Sequence, residues 1–170
     1  YKTFEDDVNE VEYKRMAQWK TIASHIAMWT YDKTFYTNYF VPQNPYNSMD
    51  ENIRWYVENN AVFLHAQGQT ANTQMTDWGN LKTYLSAQLS WDCTQDIEKL
   101  IDGFFTAYYH DAAPAMREWF DDYRTYFDER ADYWWGEEVQ IGNEWVKFNF
   151  RTTHGGDKTV SASLKFYEYD

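Results

Sequence analysis

The sequence predicts an α/β fold in which short parallel strands alternate with helices, followed by amphipathic helices and a terminal β-hairpin. Three observations predict it. Residues up to about His65 alternate helical apolar spacing with short apolar runs, which is the rhythm of a parallel α/β sheet or barrel. Residues from about Asp77 to Tyr133 keep helical spacing throughout. Beyond Gly136 the apolar residues fall closer together, at Val139, Ile141, Trp145, Phe148 and Phe150, then after His154-Gly155-Gly156-Asp157 at Val160, Ala162, Leu164 and Phe166. The chain is therefore read as 1–136, strands and helices, and 137–170, a hairpin extension.

Each element follows from local chemistry. Glu5 to about Ser24 is expected to be a helix, with Met16, Trp19, Ile22, Ala23 and Ile26 along one face and acids in its first turn, where the helix dipole favours them. It leads into a strand at His25–Tyr31, short and largely apolar as in a parallel strand covered on both faces. A loop rich in Tyr, Asn and Pro ends near Pro45. Ser48-Met49-Asp50-Glu51 reads as a capping box opening a helix whose buried face is Met49, Ile53, Tyr56 and Val57, with Asn59-Asn60 as its stop. Ala61–His65 is the second strand, expected parallel and adjacent to the first.

A polar loop, Ala66 to Thr76, follows that strand. Leu81, Leu85 and Leu89 then recur every four residues in a helix over Asp77–Trp91. Thr94 is expected to cap a helix over Gln95–Tyr109 with Ile97, Leu100, Ile101, Phe104, Phe105 and Tyr108 on one face. Asp111 and Pro114 open the last helix, since proline suits a first turn whose N–H has no partner anyway. Met116, Trp119, Phe120, Tyr123 and Phe127 mark its apolar stripe, and Phe104, Phe105, Trp119 and Phe120 are expected to pack together.

Composition narrows function. The chain of 170 residues carries a formal net charge of −12, which argues against nucleic acid and anionic membranes, because both demand clustered cations. No run approaches the ~20 apolar residues of a membrane span. Cys93 is the single cysteine, so no internal disulfide or cysteine-built metal site forms. The four histidines lack metal-ligand spacing, and no nucleophile elbow, phosphate loop or dinucleotide fingerprint occurs. Neither metal nor cofactor is expected. Aromatics reach 21 %, with 9 Trp and 15 Tyr. Such rings pack under helices, and they also stack on the C–H faces of sugars.

Trp29-Thr30-Tyr31-Asp32, Asn38-Tyr39, Pro42, Glu51-Asn52-Ile53-Arg54, Gln67-Gly68, Leu81-Lys82-Thr83-Tyr84-Leu85, Leu89-Ser90-Trp91-Asp92 and Phe104-Phe105-Thr106-Ala107-Tyr108-Tyr109, followed by Ala112-Ala113-Pro114, form one ordered series from about Asp6 to Phe127. The series resembles the DUF4838 family, a TIM-barrel-like domain of bacterial proteins similar to α-glucuronidases and related glycoside hydrolases. The resemblance implies the C-terminal part of a β/α (TIM-like) barrel, with trailing amphipathic helices, whose N-terminal portion belongs to a longer parent protein. It also implies an oligosaccharide or polysaccharide partner and a secreted or cell-envelope setting. Ala66 stands where the family commonly has an acid before Gln-Gly.

In such barrels the C-terminal strand ends carry the chemistry. Trp29, Tyr31 and Asp32, with Asn38 and Tyr39 in the loop beyond, and His65, Gln67 and Gln69 after the second strand, are therefore the candidate residues. Asp32 is the one candidate catalytic group, an acid, base or hydroxyl acceptor; equally it suits a loop-capping Asx turn. Gln67 suits a sugar hydroxyl pair or a backbone-satisfying loop amide, and His65 suits strand-end packing. Glycoside hydrolysis ordinarily needs two carboxyls roughly 5 to 9 Å apart, and only one is well placed. Two functions follow: a carbohydrate-binding or carbohydrate-processing segment that is not catalytic alone, or a structural module supporting a catalytic domain elsewhere. If the segment belongs to a complete barrel, the enzyme class implied is a glycoside hydrolase.

Overall fold

A computed structural model describes residues 2–31, 44–67, 78–130, 135–141 and 144–149. Helix α1 (Glu10–Ile22) leads into β1 (Ile26–Tyr31), α2 (Met49–Glu58) and β2 (Ala61–Gln67). Helices α3 (Gly79–Trp91), α4 (Ile97–Tyr109) and α5 (Ala113–Arg130) follow, then strands β3 (Trp135–Ile141) and β4 (Glu144–Asn149).

The core is built by helices. Leu81, Leu85 and Leu89 of α3 are fully buried, as are Ile101 of α4 and Phe120 of α5. Phe105 meets Phe120 with ring centroids 5.2 Å apart, and Tyr46, from the segment before α2, meets Phe120 at 4.8 Å. Met49 and Ile53 attach α2 to this cluster. Lys82 is also buried, its ammonium 6.0 Å from the Tyr46 ring centroid, close enough for a cation–π attraction. Cys93 is half-buried against the same cluster.

Strands β1 and β2 pair in parallel through the α2 crossover, as the sequence predicts, with Trp29 opposite His65 and Tyr31 opposite Gln67. The barrel expectation is overturned. Among the described residues the parallel sheet has two strands, and β3–β4 form a separate antiparallel pair. A barrel fills its interior with strand side chains, whereas here Val62 and Phe63 of β2 are exposed and the apolar core lies among α2 to α5. Strands β3 and β4 pair antiparallel with Ile141 opposite Glu144; His154–Asp157 lies outside the described residues.

Local expectations also shift. Ser48 precedes α2 but makes no side-chain cap; its hydroxyl donates to the Pro45 carbonyl. Trp55, not Tyr56 or Val57, joins Met49 and Ile53 as buried on α2, because Phe4 and Tyr13 cover its ring at centroid distances of 4.3 and 5.5 Å. Asn52 secures that cover by accepting from Phe4 N and donating to the Lys2 carbonyl. Helix α1 itself buries no residue, and Trp19 and Ile22 are exposed. Asp96, not Thr94, caps α4, its carboxylate accepting from Glu98 N and Lys99 N. Thr94 instead closes a turn on the Asp92 carboxylate. Trp119 leaves the expected Phe104–Phe105–Phe120 group and lies against Trp78.

Asn60 joins three elements. It adopts a left-handed backbone at φ 66°, which asparagine tolerates better than most residues. Its amide donates to the carbonyls of Lys20 and Ala23 at the end of α1, and its own carbonyl accepts from Ile26 N at the start of β1.

Charge reinforces the α4–α5 contact. Arg117 bonds Glu98, Asp102 and Asp121, and Arg124 bonds Glu98 and Asp121. Burial raises the Glu98 carboxyl, but hydrogen bonds and charge from Arg124 and Arg117 together outweigh it and hold the group below its ordinary value. Stability from Glu98 is thus complete above the ordinary 4.5 and is lost as pH falls through the lowered folded value. Glu98→Gln should lower stability at neutral pH and make the acid limb shallower below that point, read from urea midpoints across pH 2.5 to 7.

Phe120→Ala should cost about 3–5 kcal/mol, because it empties the site shared by Tyr46 and Phe105. Trp119→Ala, at a side chain 57 % exposed, should cost less than half of that. Equal losses in chemical denaturation would contradict this core.

Candidate functional site

The sheet register places three sequence-predicted residues together. In extended chain alternate side chains share a face, and Trp29 of β1 lies directly opposite His65 of β2. Their ring centroids are 4.4 Å apart at an interplanar angle of 62°. The Trp29 indole N–H donates to Gln67 Oε1 at 2.8 Å. Because indole only donates, that bond fixes which end of the Gln67 amide faces it and leaves Nε2 to donate elsewhere.

The trio is accessible. Trp29 is 61 % exposed, His65 is exposed and Gln67 is half-buried. The opposite face of the pair carries Met28 and Leu64, both partly buried, and Leu64 packs against the helical core. One side of the sheet is thus anchored while the other presents an indole, an imidazole and an amide.

Tyr31 occupies the last β1 position, in register with Gln67. Asp32, Asn38, Tyr39 and Gln69 lie outside the described residues, as do residues 68–77 between β2 and α3. The described trio contains no carboxylate, so it offers stacking and hydrogen bonding rather than an acid–base pair. Among the described residues no group of three His, Cys, Asp or Glu side chains is placed to hold a metal ion, and no helix is long and apolar enough to cross a membrane.

A family model described as a domain of unknown function, DUF4838, matches residues 2–121. The chain belongs to the DUF4838 family. This match spans α1 through the first half of α5 and includes Trp29, His65 and Gln67. No curated protein and no solved structure matches the chain.

Sequence reasoning missed one exposed aromatic group. Near the start of α3, Trp78 lies against Trp119, and Asn80 donates to the Tyr108 hydroxyl. Trp119 stands three residues after Met116 and four before Tyr123, so helical spacing assigns it to the buried stripe and carries no signal of its exposure.

The Trp29–Gln67 bond makes a specific expectation. Gln67→Ala should release the indole and change its near-ultraviolet circular dichroism while shifting the melting temperature by less than ~4 °C, since an exposed hydrogen bond contributes about 1 kcal/mol or less. An unchanged Trp29 signal, isolated by difference against Trp29→Phe, would show that the indole is not held by the amide.

Proposed function

We propose that this DUF4838 chain is a carbohydrate-binding segment, and that it does not hydrolyse glycosidic bonds by itself. The observation that carries the reading is the exposed Trp29 ring, pinned through its N–H to Gln67 and flanked by His65. A flat apolar face suits the C–H face of a pyranose ring, while the Gln67 amide and the imidazole offer partners for hydroxyls at its edge. The net charge of −12 favours neutral over polyanionic glycans.

The non-catalytic part rests on counting carboxyls. Asp32 follows β1, but Ala66 and not an acid stands before Gln67, and the next acid in sequence after β2 is Asp77. Glycoside hydrolysis ordinarily needs a second carboxyl opposite the first. A longer parent protein could supply it, and a secreted or envelope setting is part of the same proposal.

The alternative is an interaction module that supports a catalytic domain elsewhere. Helix α1 favours it, since it buries no residue and leaves Val11, Trp19 and Ile22 of one helix exposed.

Titration against neutral and uronic-acid oligosaccharides separates the two. Trp29→Ala should weaken binding about tenfold, corresponding to roughly 1.4 kcal/mol of lost stacking, while Asp32→Asn retains most of it. Product analysis after long incubation should show intact oligosaccharide. Cleavage abolished by Asp32→Asn would overturn the non-catalytic claim, and absence of binding across the panel would favour the interaction module.

A further inference from the structure

The register of β1 and β2 sets a longer row of side chains on the Trp29 face of the sheet. Ala27 lies opposite Phe63 and Trp29 opposite His65, and side chains two residues apart on a strand share a face. Phe63, His65 and Gln67 therefore follow one another along β2, beside Ala27 and Trp29 on β1. Neighbours in each row are about 7 Å apart. Ala27, Trp29, Phe63 and His65 are all exposed, Phe63 at 58 %, whereas Met28 and Leu64 on the other face are partly buried and Leu64 packs on the helical core. Parallel strands ordinarily carry cover on both faces. This pair has it on the Leu64 face, and the Trp29 face is open.

The open face changes chemistry along its length. Toward the strand ends Trp29 donates to Gln67 and stands against His65, so hydrogen-bonding groups gather there. One step earlier the register shifts: Ile26 pairs with Ala61 and Ala27 with Phe63, which leaves Val62 without a strand partner of its own. Bulges of this kind re-aim side chains, and the consecutive residues Val62 and Phe63 are both exposed, Val62 at 65 %. Ala27, Val62 and Phe63 carry no hydrogen-bonding side chain. The small Ala27, across from Phe63 and next in row to Trp29, leaves room for a ligand group between those rings. Exposed apolar side chains occur elsewhere, on α1 for example, but these are the ones that the register sets directly beside the Trp29–Gln67 bond.

A ligand lying along this face must match both of its ends. A hydroxylated ring fits the end with Trp29, His65 and Gln67. A second sugar over Phe63 would turn hydroxyls toward side chains that cannot bond them, whereas an apolar group there would remove apolar surface from water. We propose that the site takes glycosides with an apolar aglycone, the sugar over Trp29 and the aglycone over Phe63. This rests on the reading of Trp29 as a sugar contact, and it makes Phe63 the residue that selects what the sugar is joined to. The step of about 7 Å along the face is comparable to the spacing of two rings joined through one glycosidic oxygen.

The test is fluorine NMR of the whole chain labelled with 5-fluorotryptophan. The Trp29 resonance, assigned by Trp29→Phe, is followed during titration with methyl and phenyl β-D-glucopyranoside, β-D-xylopyranoside and β-D-galactopyranoside. For at least one sugar the phenyl glycoside should bind about three- to tenfold more tightly than the methyl glycoside, as one added ring contact would give. Phe63→Ala should bring that ratio to about one, and so should Phe63→Thr, whose β-branched side chain suits a strand and keeps the fold if alanine does not. Ile22→Ala, at an exposed side chain of α1, should leave the ratio unchanged.

Equal affinity for methyl and phenyl glycosides would overturn the aglycone contact and leave the Trp29 sugar site standing. A phenyl advantage that survives both Phe63 variants would overturn the contact too, as would cellobiose or xylobiose binding more tightly than the phenyl glycoside of its own sugar. Phenol binding as tightly as the phenyl glycosides would show that the sugar contributes nothing, and would overturn the carbohydrate reading together with the contact. Movement of the Trp29 resonance with protein concentration, without any sugar, would make a second copy of the chain the occupant of this face and overturn the aglycone contact. No binding by any probe would overturn the carbohydrate reading and the contact with it.

Discussion

The contact between Phe105 of α4 and Phe120 of α5 holds the described body together, since both rings are almost wholly excluded from water and each touches other core elements. Phe120 receives Tyr46 on one side and Trp78 on another, at centroid distances of 4.8 and 5.2 Å. The chain before α2 and the chain before α3 are thereby fixed to the same ring. The leucine stripe of α3 completes the cluster, and α2 joins it through Met49 and Ile53. The sheet depends on this body in turn. Two parallel strands alone are a poor folding unit, and β2 reaches the core through Leu64.

Electrostatics reinforces that arrangement without creating it. Arg117 and Arg124 are largely covered, yet each guanidinium finds carboxylates from α4 or α5, so neither of these two cations is left unpaired. Glu98 receives both arginines and therefore keeps its charge despite partial burial. Arg124 also lies 5.0 Å from the centroid of Phe120, which places charge and aromatic packing at one crossing. Exposed pairs such as Lys14 with Glu10 on α1 contribute far less, because water screens them.

The parts of the fold that were legible in the sequence are those where periodicity and burial agree. The Leu81, Leu85, Leu89 stripe, the parallel pairing of β1 with β2, and the proline-marked start of α5 all follow from local pattern. Periodicity could not distinguish a covered helix from an exposed one. Helix α1 has apolar spacing and buries nothing, whereas Trp55, off the expected stripe of α2, is buried by Phe4 and Tyr13 from a distant part of the chain. Competition among caps was equally hidden: Thr94 and Asp96 both suit an N-cap, and the Asp92 carboxylate takes Thr94 first. The barrel expectation came from family resemblance, and the strand exposures and two-strand topology overturn it. Within the candidate site, Trp29, His65 and Gln67 were legible as strand-end neighbours; their bonding geometry required the register.

The aromatic excess resolves into distinct roles once burial is known. Trp55 is buried and Trp78 half-buried, both packed against other rings, so part of the excess serves folding. Trp29 and Trp119 each rest against another ring yet remain more than half exposed. A ring of that kind loses little further freedom when a flat ligand covers it, because its neighbours already restrict its rotation. A mobile exposed aromatic would have to be ordered at the moment of binding. Restriction by packing is therefore what the exposed Trp29 and Trp119 rings share, one on a strand pair and the other on a helix bundle.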